Sequence, residues 1–363
     1  MIGKTFDLLC GKFSSVPSMS TSEAWTRDTI ISANNATDHE CGNLVRVEYS
    51  ELASWIDFLT RDVIAILGIF GNVIIIIVRL QMRLRNTFNR LLVALAFFDI
   101  FTLVVFLTIS ICKTTNTFRL FFPYFIWPMG NFATRGSVFL TVIIAYERFM
   151  AVLHPLSFNR GKRYRAVKYV TFVIIIDIII TVTKFFEFEP DNCNGIRFTK
   201  LYFNQIYSMY NIVIYALLAP FNISVLIYMY AKIYCEIKDS HETQERHSCN
   251  ENLGSTRSRE AMRKRESKQA GIFAGVVVTF IICRIPDVFV TIAGIMKYNS
   301  TAEPPFGFLI AIKIRNICII LNSAINIVIY TWVSKQFRDD FKATFLKLFT
   351  CTRIPPQDPE LYS

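Results

Sequence analysis

Seven long apolar segments dominate this chain of 363 residues. A helix that crosses a membrane needs about 20 mostly apolar residues, and each segment is close to that length or longer. To within a few residues, the segments cover 58–80, 91–112, 121–152, 169–187, 207–234, 269–296 and 307–332. Because lipid offers no partners for backbone polar groups, the segments predict an all-α integral membrane protein, a seven-transmembrane helix bundle.

The charge distribution predicts the sidedness of that bundle. Only 18% of the residues are charged, while 53% are hydrophobic and the formal net charge is +11. The cations cluster in loop 81–90, in loop 154–168 and in 255–269, which is typical of cytoplasmic loops rather than of a nucleic-acid-binding surface. We therefore expect a multi-pass plasma membrane protein with its N-terminus outside the cell and its C-terminus in the cytoplasm.

This topology divides the chain into four parts. The predicted parts are an extracellular segment over 1–57, the transmembrane domain over 58–333, an amphipathic helix over 334–350 and a cytoplasmic tail over 351–363. In the amphipathic part, phenylalanines recur every four residues between Lys and Arg residues, as expected of a helix on the inner membrane surface.

Three positions outside the apolar segments are candidates for covalent modification. Asn35 and Asn299 begin glycosylation sequons, and both fall on the extracellular side. Cys351, after the amphipathic part, is either a palmitoylation site or an unmodified thiol.

Polar side chains inside the apolar segments are the strongest functional signal. They are Asp99 in the second segment, Ser137 and Arg148 in the third, and Asn322, Asn326 and Tyr330 in the seventh. Their helical spacing places those of one segment on one face, which predicts a polar core along the bundle axis. Asn and Ser also join helices without any further role, but a carboxylate in lipid costs several kcal/mol and favours function.

These residues belong to short ordered motifs, and over nearly its whole length the chain resembles the rhodopsin-like G-protein-coupled receptors. The motifs are Gly71-Asn72, LAFFD (95–99), ERF (147–149), Pro220 with Tyr228, FIICRIP (280–286) and NIVIY (326–330). Within that family, four stretches make it most similar to invertebrate FMRFamide-type neuropeptide receptors. They are 82–99, 122–133, 184–189 and 321–330. Nematode-type chemosensory receptors share some of these features.

The resemblance implies a receptor that binds an extracellular neuropeptide, an amidated FMRFamide-like peptide, and activates a heterotrimeric G protein by outward movement of the sixth helix. Further implied partners are arrestin, receptor kinases and membrane lipid. A chemosensory receptor for a small molecule is the alternative. A channel or transporter is more distant, because no internal repeat is visible. No nucleophile–base pair or metal-ligand set indicates an enzyme.

The resemblance also assigns a switch at the inner side of the bundle. Glu147 is expected to hold Arg148 at rest, and Arg148 then helps to form the floor of the G-protein cavity in the active state. Tyr228 and Tyr330 are expected to stabilise that state. The alternative is an interfacial ion pair without a switching role.

A sodium site is the one implied ion-binding feature, and no other cofactor or metal is expected. Asp99, Ser137, Asn322 and Asn326 resemble the family's sodium pocket, and oxygen-bearing side chains suit a hard cation. The alternative is a protonated Asp99 in a hydrogen-bonded network.

Acids among aromatics near the outer side are candidates for binding the cation and the ring of an Arg-Phe-amide peptide. The ligand-binding candidates are Glu187, Glu189, Asp191, Tyr207, Tyr210, Arg284 and Asp287. The alternative for Glu187, Glu189 and Asp191 is that they belong to a solvated loop and bind no ligand. Arg284 occupies the position where the family's sixth helix has its toggle Trp. Its partner is either Asp287 or Asp99.

Three other departures from the family pattern concern structure. Ile327 replaces the seventh-helix Pro, and Asp177 lies in a fourth helix that has no Trp. Pro123 stands about where the third helix should have its Cys, so the resemblance leaves Cys193 without its usual partner and implies Cys112 as the substitute.

Overall fold

The computed structural model describes residues 58–81, 87–112, 116–153, 164–190, 196–202, 204–247, 275, 277–294, 306–333 and 335–350. The main helices are α1 Val63–Gln81, α2 Thr87–Cys112, α3 Trp127–Leu153, α4 Arg165–Thr181, α5 Leu218–His247, α6 Val277–Gly294, α7 Phe306–Ala324, α8 Asn326–Val333 and α9 Lys335–Thr350. Shorter helical pieces extend four of the spans: Phe58–Asp62 before α1, Asn116–Phe121 and Phe122–Ile126 before α3, Val182–Phe186 after α4, and Gln205–Asn211 and Ile212–Leu217 before α5.

Six of the described helices are long and apolar enough to cross a membrane, and α7 with α8 forms a seventh span bent by 45°. This confirms the predicted seven-helix membrane bundle. The spans agree with the apolar segments to a few residues, except that α5 continues beyond residue 234 to His247. Residues 269–274 of the predicted sixth segment lie outside the described residues.

The outward faces of these helices are apolar. On α1, the side chains of Ile66, Leu67 and Phe70 are 53%, 63% and 65% exposed. A protein surrounded by water rarely exposes large contiguous apolar patches. The same faces are well suited to hydrocarbon, so the polar residues must turn inward.

Glycines let the helices approach closely where the polar core needs it. A Cβ on Gly136 of α3 would lie 2.0 Å from the ring of Phe98 in α2, and one on Gly71 of α1 would lie 2.6 Å from Ile327 of α8. Close contact of α2 with α3 brings Asp99 and Ser137 within hydrogen-bonding distance.

The bend between α7 and α8 forms without the proline that the resemblance leads us to expect at position 327. Asn72 of α1 donates hydrogen bonds to the carbonyls of Gly68, at 2.9 Å, and of Ser323, at 2.8 Å. In a straight helix the Ser323 carbonyl would accept from the amide of Ile327. Diverting that carbonyl to Asn72 is a physical cause for the bend, since kinks form where a side chain enters the helical ladder.

A β-hairpin that the sequence analysis did not predict lies between α4 and α5. Strands β1 (Phe188–Pro190) and β2 (Ile196–Phe198) pair antiparallel. The Phe188 ring packs against Trp127, with ring centroids 5.2 Å apart, and against Phe122, at 5.7 Å. This aromatic contact seats the hairpin on the outer end of α3.

Helix α9 covers the predicted amphipathic part and docks through Phe337. The Phe337 side chain is 1% exposed. Its ring centroid lies 5.9 Å from that of Tyr330 and 5.2 Å from the Cζ of Arg79. Burial raises the pKa of the nearby Asp340 carboxyl to about 6, against the lowering effect of Arg79. Its position on the inner membrane surface stays a prediction.

Candidate functional site

Glu187, a predicted ligand-binding residue, is buried inside the outer end of the bundle. Its side chain is only 2% exposed and forms an ion pair with Lys184. It also accepts hydrogen bonds from the indole Nε1 of Trp127, at 2.5 Å, and from the Tyr207 hydroxyl, at 2.7 Å. Burial and the charge of Glu187 raise the pKa of the neighbouring Tyr202 hydroxyl. Glu187 therefore anchors the start of the hairpin and does not present a free carboxylate to a ligand.

The other outer candidates also have partners within the protein. Glu189 pairs with Arg197 across the hairpin at 2.7 Å, with both side chains exposed. The Tyr210 hydroxyl donates to the carbonyl of Ile180 at 3.0 Å. Asp191 lies outside the described residues.

Arg284 occupies the core between α3 and α6. It is 6% exposed, and its Nη1 donates to Asp287 at 2.9 Å while its Nη2 donates to the carbonyl of Thr134 at 3.2 Å. Of the two pairings left open by the sequence, the hydrogen bond goes to Asp287. Arg284 also interacts electrostatically with Asp99.

A buried ionic network joins α3, α4 and the helical entry to α5. The Arg135 guanidinium donates to the Asp177 carboxylate at 2.6 Å, to the Thr181 hydroxyl at 2.8 Å and to the Tyr215 hydroxyl at 2.9 Å. Asp177 is completely buried and Arg135 is 9% exposed. Sequence reasoning noted Asp177 but missed Arg135, although a cation in the middle of the third apolar segment was a signal for a carboxylate partner.

Lys184 connects this network to that of Glu187. Its ammonium lies 4.3 Å from the centroid of the Tyr215 ring and donates to the side-chain oxygen of Asn211 at 3.1 Å. The outer halves of α3, α4 and the entry to α5 are thus held together by buried polar contacts.

The predicted sodium-pocket residues meet in the middle of the bundle. Ser137 donates to one Asp99 carboxylate oxygen and Asn326 to the other, each at 2.7 Å, and Asp99 is completely buried. A small cavity beside them is lined by Ser137, Asn322 and Asn326 together with Thr141, Thr279, Phe280, Ile325 and Ile329. Ser137, Asn322 and Asn326 bring hydroxyl and amide oxygens to this cavity, and the Asp99 carboxylate is hydrogen-bonded to two of these side chains. Hydroxyl, amide and carboxylate oxygens form a donor set that fits a sodium ion.

The inner switch residues are distributed over three helices. Glu147 is 3% exposed, and its carboxylate lies 3.8 Å from Arg165, the first residue of α4. The Arg148 guanidinium lies over the Phe88 ring, 3.4 Å from its centroid. The structure thus adds Arg165 and Phe88 as neighbours of the predicted pair, and the resting contact of Glu147 with Arg148 stays a prediction.

The two switch tyrosines differ in environment. Tyr330 is 3% exposed, whereas Tyr228 is 58% exposed, and its ring centroid lies 6.4 Å from that of Phe149. Tyr228 must therefore turn inward before it can take part in a switch.

Cys112 at the outer end of α2 is disulfide-bonded. Cys193, the partner that the resemblance implies, lies outside the described residues, as do Asn35, Asn299 and Cys351.

Comparison with known proteins gives the family. The family model described as "7 transmembrane receptor (rhodopsin family)" matches residues 71–330. The FMRFamide receptor of Drosophila melanogaster is 26% identical over 342 residues, with 87% of this chain covered; the match spans 57% of that receptor's length. The thyrotropin-releasing hormone receptor of Homo sapiens is 25% identical over 370 residues, which cover 92% of this chain and 86% of that receptor.

A solved structure supports the same fold. The crystal structure of squid rhodopsin matches with a TM-score of 0.65 at 16% identity, covering 85% of this chain and 89% of that one. At this identity the likeness shows the fold alone, while the family model covers most of the chain. The match to the family model, with the ordered motifs and the bundle, establishes that the chain belongs to the rhodopsin family of seven-transmembrane receptors and is similar to the FMRFamide receptor.

Proposed function

We propose that this chain is a plasma membrane receptor for an extracellular neuropeptide of the amidated FMRFamide-like class, and that it activates a heterotrimeric G protein. The observation that carries the proposal is the line of buried polar groups through the bundle. Arg284 donates a hydrogen bond to the Thr134 carbonyl of α3, one turn above Ser137. Ser137 and Asn326 each donate a hydrogen bond to Asp99. The similarity to a FMRFamide receptor and to thyrotropin-releasing hormone receptors supports a peptide ligand.

We propose that these polar groups exchange partners between a resting and an active arrangement of the bundle. A ligand shifts the equilibrium only if it binds one arrangement more tightly than the other. Arg284 belongs to α6, so a ligand that changes its contacts also changes how α6 packs on α3. Outward movement of α6 at the inner side then opens a cavity for the G protein, with Arg148 at its floor. Arrestin, receptor kinases and anionic lipid would use the same inner face.

The decisive experiment measures calcium and cAMP in cells that express the full chain, during exposure to a panel of amidated peptides. A response to Arg-Phe-amide peptides supports the proposal. A response to small odorant-like molecules, with none to peptides, would replace it by the chemosensory alternative. Tags on the two termini test the topology, since both tags on one side of the membrane contradict a seven-helix receptor.

We expect Glu147→Gln to raise basal G-protein activation. Removing the carboxylate charge frees Arg148, and also weakens the contact with Arg165 across to α4. Basal guanine nucleotide exchange should rise about threefold to tenfold at equal surface expression, a change of about 1 kcal/mol in the equilibrium. The control is Arg165→Gln, which removes the second cation but leaves Glu147 to hold Arg148. Unchanged basal exchange in Glu147→Gln would argue against the switch.

We also propose that Asp99, Ser137, Asn322 and Asn326 hold a sodium ion that favours the resting state. Binding to the folded form stabilises it by mass action. The unfolding temperature of the purified receptor should then be about 2–4 °C higher in sodium chloride than in choline chloride of equal concentration. Asp99→Asn should abolish the difference. An equal unfolding temperature in the two salts would favour the protonated Asp99.

A further inference from the structure

Helices α6 and α7 carry more positive than negative charge. Residues 277–294 and 306–324 contain one acid, Asp287, and three cations, Arg284, Lys313 and Arg315. In an interior where water does not screen charge, such an excess favours an anion nearby.

The contacts of the two arginines show where donor capacity remains. Asp287 accepts a hydrogen bond from Arg284 and also interacts electrostatically with Arg315, so one carboxylate serves two guanidinium groups. The hydrogen bonds of Arg315 go to the neutral side-chain oxygen of Asn316, at 3.1 and 3.3 Å. The Nε of Arg284 is buried and has no hydrogen-bond partner.

This cluster faces the bundle interior rather than lipid. The apolar side chains of Ile282, Ile285 and Phe289 mark the lipid face of α6, with 57–65% of each exposed. Arg284 lies on the other face and reaches the Thr134 carbonyl of α3. Asp287 is seven residues before the end of α6, about 10 Å below it, so a ligand that enters between the helices can reach the cluster.

The outer ligand-binding acids that the structure describes are already paired with cations of the protein. Glu187 is paired with Lys184, and Glu189 with Arg197. Asp287 is paired with Arg284. Among these described residues, a cationic ligand group meets carboxylates that are already neutralised, whereas an anionic group meets guanidinium donors. Guanidinium groups bind carboxylates in a bidentate geometry that gives both strength and specificity.

We propose that Arg284 and Arg315, the α6–α7 arginine pair, bind a carboxylate of the ligand, contributed by an acidic side chain of the peptide. This inference rests on the proposed function and adds a requirement to it: the peptide carries Asp or Glu in addition to its amidated end. Arg315 makes the direct contact, and Arg284 exchanges part of its interaction with Asp287 for the ligand carboxylate.

The test uses amidated heptapeptides that end in Phe-Met-Arg-Phe-amide and carry either Asp or Asn at each of the three preceding positions. Small carboxylates, such as succinate and benzoate, form a second arm. Cells expressing the wild type, Arg315→Gln, Arg315→Lys or the control Lys200→Gln are compared at equal surface expression. Lys200→Gln removes an exposed outer cation of the segment that follows β2.

At one position or more, the Asp peptide should be about tenfold more potent than its Asn partner on the wild type and on Lys200→Gln. Arg315→Gln should bring that ratio close to one, and Arg315→Lys should keep part of it. A ratio near one at every position on the wild type, or an unchanged ratio on Arg315→Gln, overturns the inference and leaves the peptide receptor standing. Activation by a small carboxylate alone, lost in Arg315→Gln, supports the arginine pair and overturns the peptide class. Silence of the wild type toward both arms overturns both.

Discussion

Replacing Asp177 by leucine should remove most of the receptor from the cell surface. The change leaves the Arg135 guanidinium buried without the carboxylate that neutralises it, and the remaining hydroxyls of Thr181 and Tyr215 carry no charge. Breaking a buried ion pair at one partner costs about 3–5 kcal/mol. Folded proteins are stable by only about 5–15 kcal/mol. Flow cytometry on an N-terminally tagged receptor measures the surface amount, and thermal unfolding in detergent measures the stability.

Two variants show whether the uncompensated charge is the cause. The double variant Arg135→Met/Asp177→Leu removes both charges and should recover most of the expression, because an apolar pair of similar volume often replaces a buried ion pair at little cost. Glu189→Leu breaks the exposed pair with Arg197, and we expect at most a minor effect, since exposed pairs contribute about 0–1 kcal/mol. If Asp177→Leu alone had the surface amount and the unfolding temperature of the wild type, the network would not stabilise the fold.

Replacing Arg148 by alanine should abolish G-protein activation while the receptor still reaches the surface. Arg148 is half-buried and stacks on Phe88. A cation–π contact contributes about 0.5–2 kcal/mol, so we expect the fold to tolerate the change. The loss to signalling is larger, because Arg148 is proposed to form the floor of the active-state cavity. We expect a reduction of about 10- to 100-fold in nucleotide exchange.

The experiment needs no ligand if it is done in the activated background. Glu147→Gln provides raised basal exchange, and Glu147→Gln/Arg148→Ala should return that exchange to the level of untransfected membranes. Lys168→Ala, which removes an exposed cation from α4, is the control and should leave exchange unchanged. Persistence of the raised exchange in the double variant would exclude Arg148 from the cavity floor.

The grouping of the central polar residues was predictable, whereas the inner switch stays a prediction. Hydrophobic length fixed the seven spans, and helical spacing fixed which polar residues of one helix share a face. Ser137 and Asn326, predicted as one group with Asp99, both donate hydrogen bonds to its carboxylate.

The outer site was not predictable to the same degree. Glu187 looked like a loop acid available to a ligand, yet it is buried against Lys184, because the hairpin packs its aromatic residues on Trp127. Arg135 went unnoticed, since its partner Asp177 is on another helix and no short motif joins them.

By itself, the sequence determined the class of the protein. Long apolar segments require helices in lipid, and ordered motifs place the chain among the seven-transmembrane receptors. The cations between the segments predict its sidedness. The tertiary structure alone decided which charge neutralises which, including Arg135 with Asp177 and Arg284 with Asp287. The reason is physical: spacing along one helix fixes a face, but the rotation and depth of that helix against its neighbours depend on how their side chains pack.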